Sequence, residues 1–180
     1  YRDHNYNSPL KTIGYSWLKN EPSNYRCSCV YANRPRSGGG KWDYFPLAEG
    51  SPLGTQVDGC DSEKPLLLDP CCREDVNLIM YHPGGRVGCT SVDEAKQLRI
   101  KVSEDLYNWK NADISKARSS VWYDVERTIE RYKAGKTMEE DCLEDLRRVI
   151  SRNAIYSACA ISCVQSLAPD NIKEQLDLTL

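Results

Sequence analysis

Histidine occurs twice, methionine twice and phenylalanine once in these 180 residues. Acid–base chemistry at neutral pH most often relies on histidine, so an enzymatic site has only His4 and His82 to draw on. No Cys-x-x-Cys pair occurs, which removes the usual start of a zinc site; neither a metal nor a cofactor is expected. The phosphate-cradling pattern Gly-x-x-x-x-Gly-Lys-Ser/Thr is missing, and so is any Asn-x-Ser/Thr acceptor for N-glycans. No stretch approaches the ~18 apolar residues of a membrane span. Positive charge is not in excess either: the net charge is -2, which argues against a nucleic-acid partner.

What the chain has in plenty is cysteine. There are nine: Cys27, Cys29, Cys60, Cys71, Cys72, Cys89, Cys142, Cys159 and Cys163. Tyrosine is abundant, and proline and glycine crowd the first half. This combination points to an oxidising compartment and a disulfide framework. The chain starts at Tyr1 without methionine, as expected of a mature secreted protein after loss of a signal peptide, or of a trimmed chain. An odd count leaves one thiol unpaired or bonded to another molecule. Cys27 and Cys29 face one side if the segment is a strand, whereas the adjacent Cys71 and Cys72 face opposite ways and take different partners. Cys159 and Cys163 share one face of a helix and are expected to staple it to the first half. Cys142 and Cys163 cannot meet unless the helix between them breaks, because 21 residues of continuous helix span roughly 30 Å.

Residues 91–180 read as three to four amphipathic helices. Ser91-Val92-Asp93-Glu94 has capping-box spacing, and Ala95, Leu98, Val102, Leu106 and Trp109 follow as an apolar stripe. Leu98, Ile100 and Val102 also alternate as a strand would. A second helix carries Ile114, Ala117, Val121, Val125, Ile129 and Tyr132, with Asp113 as a candidate cap and Gly135 as its stop. A third starts at Thr137-Met138-Glu139-Glu140 and continues through Cys142, Leu146, Val149, Ile150, Ala154, Ser157, Ile161 and Val164. A short last helix, capped by Asp170, carries Ile172 and Leu176. Acidic residues open the third helix and Arg147, Arg148 and Arg152 come later, an order that favours the helix dipole. That charged face is a candidate docking surface, or simply a solvated one.

Residues 1–90 read as short strands and turns. Strands are expected over residues 12–18, 25–31, 76–81 and 87–90, with His82-Pro83-Gly84-Gly85 as a turn. Residues 47–70 are turn-rich. Arg34, Arg36 and Lys41 flank a run of glycines next to Trp42, Tyr44 and Phe45. A flexible basic loop beside an aromatic cluster is a candidate binding surface, although such clusters usually pack inside.

The fold class expected is therefore α+β: a small, disulfide-pinned antiparallel sheet packed against a helical C-terminal half, in a single domain of 1–180 with its parts meeting near residue 90. The cysteine-rich profile without a catalytic signature is similar to that of secreted host-interaction proteins, such as effectors of plant-pathogenic fungi; the likeness is one of composition. The expected function is that of a monomeric, effector- or toxin-like protein that binds an extracellular or host protein, and the basic loop with its aromatic neighbours, Arg34, Arg36, Lys41, Trp42 and Tyr44, is the candidate binding surface. The alternatives are a small secreted, ribonuclease-like hydrolase using His82 with Arg86, and a carrier of a small apolar ligand.

Overall fold

A computed structural model describes residues 15–33, 41 and 44–178. Among these residues it is an α+β protein with one two-stranded antiparallel sheet and a helical C-terminal half. The chain forms two compact units: Tyr1–Leu78 with Ser91–Lys110, and Ile79–Thr90 with Asn111–Leu180.

The described residues of the first unit have little regular structure. Among them two short α-helices, α1 (Val30–Asn33) and α2 (Arg73–Val76), precede one substantial helix, α3 (Glu94–Leu106). The strand expected over residues 25–31 is not there: the chain is irregular up to Cys29 and then turns into α1, its first turn closed by the Cys29 carbonyl. Residues 16–18 form a 3-10 turn instead of a strand. Asp93 caps α3, its carboxylate accepting the Lys96 amide at 2.9 Å, so the cap falls two residues beyond Ser91.

The face that α3 buries also departs from the expected stripe. Ile100, Val102, Ser103 and Leu106 are inside, while Leu98 is exposed. Apolar counting passed over Arg99 and Ser103, the two polar residues that hold segment 65–69. Ser103 Oγ accepts the buried Leu68 amide at 2.8 Å. Arg99 donates to the Pro65 and Leu67 carbonyls and grips Asp75 through two nitrogens at 2.5 and 2.6 Å. Asp75 also accepts the Asp69 amide at 2.8 Å, and Tyr107 donates its hydroxyl to the Leu68 carbonyl. Leu66 and Leu67 are thereby fixed against Val102 and Leu106, with Tyr44, Ala48 and Tyr107 at the edge. Burying an ion pair is costly unless every remaining hydrogen-bonding position is filled; here each oxygen of Asp75 has a donor.

The second unit is a hairpin with three longer helices and a short one. Strands β1 (Ile79–His82) and β2 (Arg86–Cys89) pair antiparallel, with Ile79 opposite Cys89 and His82 opposite Arg86. The expected strands over 76–81 and 87–90 correspond to these, displaced because residues 73–76 are helical. The Pro83–Gly85 turn lies on helix α4 (Ala112–Lys133). Asn111, rather than Asp113, caps α4 by accepting the Asp113 and Ile114 amides. Gly135, at φ 67°, follows its end in the left-handed conformation that glycine adopts without strain.

The long third helix expected from the sequence is two helices. Helix α5 (Glu139–Ile150) stops at Ser151, which turns extended, and α6 (Ser157–Leu167) begins after Tyr156 at φ 59°. The apolar period continues through residues 151–156, but Ser151 and Asn153 are residues whose side chains compete for backbone hydrogen bonds and favour helix ends. Met138 occupies the cap position of α5 without a side-chain cap, so the expected capping box does not close. Glu139 reaches sideways instead, accepting from Tyr132 and from Asn171 and Gln175, which belong to the last helix, α7 (Asp170–Gln175). These bonds, Gln175 first, hold the Glu139 carboxyl below the usual carboxylate range. The core joins Trp122, Val125 and Ile129 of α4 to Leu143 and Leu146 of α5, to Ala160 and Val164 of α6, and to Ile172 of α7.

Candidate functional site

The residues expected to bind fall into three groups. Arg34, Arg36 and Trp42 lie outside the described residues. The Lys41 amide donates to the Ala32 carbonyl at 2.6 Å, and the Tyr44 amide donates to the Lys41 carbonyl at 2.9 Å. Tyr44 itself packs against the Leu66–Leu67–Val102–Leu106 cluster, so its ring is part of the core edge. Phe45 is exposed; its ring meets Tyr15 edge-on at 5.7 Å. Tyr15 in turn donates to both oxygens of Glu63, which also accepts the Gly54 amide at 2.6 Å. This arrangement pins residues 51–63, whose glycine-rich turns have no helix or strand of their own.

His82 sits at the end of β1 with its ring across Gly88 of β2. A side chain on Gly88 would begin 2.2 Å from His82 Nε2. The imidazole therefore covers a glycine on the hairpin, while His82 itself is exposed. Arg86, opposite it in the ladder, donates towards the Pro83 carbonyl. Among the described residues no three His, Cys, Asp or Glu side chains cluster as a metal site.

The cysteines divide sharply by position. No disulfide joins any of the nine, all of which lie among the described residues. Cys142, Cys159 and Cys163 are 0%, 1% and 0% exposed inside the helical core of the second unit. The Cys159 thiol donates to the Arg118 carbonyl at 3.6 Å and Cys163 to the Trp122 carbonyl at 3.5 Å. Both face α4, and the staple to the first half expected from them is not what their surroundings provide. Burial pushes the Cys159 thiol up to about 11 and that of Cys163 to about 12. In contrast, Cys27, Cys29 and Cys71 are exposed, and Cys60, Cys72 and Cys89 are half-buried.

One of the exposed cysteines of the first unit, Cys71, lies beside an ion pair. Arg26 holds Asp69 with two parallel bonds, Nε to Oδ1 at 2.6 Å and Nη2 to Oδ2 at 2.5 Å. Arg26 also donates to the Ser23 and Tyr25 carbonyls, which ties its own segment down. The guanidinium holds the Asp69 carboxyl below its usual range. The same Asp69 Oδ1 accepts the Cys71 amide at 2.8 Å. Sequence reading could not find this fork: charged partners 43 residues apart leave no local pattern.

The charged face named from the sequence lies on α5. Glu140, Asp141, Glu144 and Asp145 are exposed, with Arg148 paired to Asp145 at 3.0 Å. Glu139 is not part of a free acidic surface, being bound to its three donors. No helix among the described residues is long and apolar enough to cross a membrane. No family, curated protein or solved structure matches this chain.

Proposed function

We propose that this chain is a secreted, disulfide-stabilised interaction protein that acts by binding another extracellular or host protein through its surface. The observation that carries the reading is the partition of the cysteines. Three are core residues, and six are accessible, five of them in the unit with the least regular structure. Accessible thiols in such number are reactive liabilities as thiols and stabilising as pairs. The first unit has the greater need of them. Its described buried apolar residues are Leu66, Leu67, Leu68, Ile100, Val102 and Leu106, a small core for so much loop, and small cores are commonly supplemented by disulfides. Each disulfide typically adds ~2–4 kcal/mol.

In this reading the binding surface is formed by Arg34, Arg36, Lys41, Trp42 and Tyr44, and the exposed carboxylates of α5 are a second patch. The test is affinity capture. Oxidised, immobilised protein is exposed to an extracellular protein fraction from candidate hosts, beside a reduced and alkylated control and the His82→Ala variant. A partner retained by the oxidised protein and by His82→Ala, and lost on reduction, is the expected result. Columns that stay empty across a range of salt and pH, or hydrolysis of RNA, glycan or peptide panels that disappears in His82→Ala, would overturn it.

A further inference from the structure

The six accessible cysteines are an even number, and this resolves the odd count in the sequence. We infer that Cys142, Cys159 and Cys163 stay thiols in the mature protein, and that its disulfides are drawn from the other six, Cys71 being bonded to the segment that carries Cys27 and Cys29. The inference rests on the oxidising compartment of the proposed function and adds which sulfurs bond there.

Geometry separates the three core thiols from the rest. Cys159 and Cys163 are four residues apart on α6, and the carbonyls they donate to, Arg118 and Trp122, are four residues apart on α4. Each sulfur thus faces its own turn of α4. Successive turns are ~5.4 Å apart along a helix, whereas a disulfide needs its sulfurs about 2.05 Å apart. Cys142 is fully buried on α5. Exchange requires a thiolate, and burial raises all three thiols above the ordinary value, so the attacking species is scarce where oxidants also cannot reach.

The Arg26–Asp69 fork selects the partner of Cys71. One oxygen, Asp69 Oδ1, lies 2.6 Å from Arg26 Nε and 2.8 Å from the Cys71 amide. The backbone of Cys71 and the side chain preceding Cys27 therefore meet on a single atom. The neighbouring Cys72 is directed elsewhere, its thiol donating to Glu74 at 3.2 Å. The adjacent pair thus points two ways, with Cys71 on the side of Arg26, close enough to add to the rise in its pKa that Asp69 dominates.

The bond forms by two exchanges with a small disulfide such as oxidised glutathione. The Cys71 thiolate attacks one glutathione sulfur and releases a glutathione thiolate. A thiolate from Cys27 or Cys29 then attacks the Cys71 sulfur of the mixed disulfide and releases the second. Two protein thiols are oxidised, and one glutathione disulfide is reduced to two thiols.

Double labelling tests this on the full chain. The protein is oxidised in a glutathione buffer, alkylated in its native state, then denatured without reductant and alkylated with a second, heavier reagent. Trypsin cuts after Arg26, Arg36, Lys41 and Arg73 and spares the Arg34-Pro35 and Lys64-Pro65 bonds, which yields peptides 27–36 and 42–73. The expected outcome is heavy label on Cys142, Cys159 and Cys163 alone, and a reducible link between the two peptides in which fragmentation places a bond from Cys71 to Cys27 or Cys29, a bond that Cys71→Ser removes and Cys72→Ser keeps. A core cysteine found in a disulfide or labelled in the native state would overturn the inference, as would linked peptides in which Cys71 is bonded to neither Cys27 nor Cys29. If these variants fail to fold, fragmentation of the linked peptides from the unaltered chain gives the same answer. Disulfides formed elsewhere defeat only this inference; nine thiols that resist oxidation defeat the proposed function as well.

Discussion

Gly85 lies flat on the backbone of Arg118. A side chain at Gly85 would begin 2.7 Å from Arg118 Cβ and 2.8 Å from its carbonyl carbon, and the residue sits at φ 69°. Through this approach the hairpin turn settles on α4, while the Tyr81 amide donates to Ser162 Oγ of α6.

Gly85→Ala should therefore destabilise the second unit by roughly 2 kcal/mol or more, since overpacking adds to the cost of a left-handed conformation. Gly84 has a similar φ of 77°, but its nearest neighbour is Tyr123 Oη at 3.7 Å. Gly84→Ala should cost about 1 kcal/mol, from conformation alone. Urea midpoints of the two variants check the order; equal losses would mean that the close approach to Arg118 does not matter.

Ser103→Ala should remove the acceptor of the buried Leu68 amide and cost about 1–3 kcal/mol, the usual penalty for stranding a buried donor. Denaturant unfolding, with the slope held constant, measures it. A loss below about 0.5 kcal/mol would show that the amide finds another partner.

That serine marks the limit of what could be read from the sequence. The helical half, the hairpin with its glycine turn and the stop at Gly135 were legible, because apolar period and turn residues are local signals; the caps expected at Ser91, Asp113, Thr137 and Asp170 are each displaced, α7 starting at Asp170 with Pro169 before it. The buried faces were legible only approximately. On α4 the stripe through Val121 is one position off the residue that fills the core, Trp122, which is 1% exposed. On α3 the inward face includes the buried Ser103 and the half-buried Arg99, whose placing makes sense only once segment 65–69 is in place. The break at residues 151–156 was hidden because the apolar spacing runs across it. Of the candidate binding surface only Lys41 and Tyr44 can be placed, and Tyr44 turns out to belong to the core edge.

Acid should weaken both units. Asp69 is held below its usual 3.8 by Arg26, and Glu139 below its usual 4.5 by Gln175 and Tyr132. A depressed carboxyl contributes stability that is present above the ordinary value and lost as pH falls through the depressed one. Stability should thus be flat from pH 7 to about 5 and decline below about 4. Denaturation midpoints across that range should show a shallower decline in an Asp69→Asn, Glu139→Gln double variant. An unchanged slope would assign acid sensitivity to other groups.

Alkali should act on the second unit through its core thiols. The values of about 11 and 12 for Cys159 and Cys163 lie above the ordinary 9.0, so the unfolded chain releases these protons first. Stability is full below about pH 9 and falls as pH rises towards 11 to 12. Cys163→Ala should flatten part of that fall. A curve unaffected by the substitution would contradict the burial of this thiol.

Hydrogen exchange of the oxidised protein, before and after reduction, tests most directly the claim that disulfides hold the loop-rich unit while the helical unit holds itself. Reduction should speed exchange strongly over residues 44–78 and 94–106 and leave α4, α5 and α6 protected. Equal loss of protection in both units, or no change in either, would contradict the account.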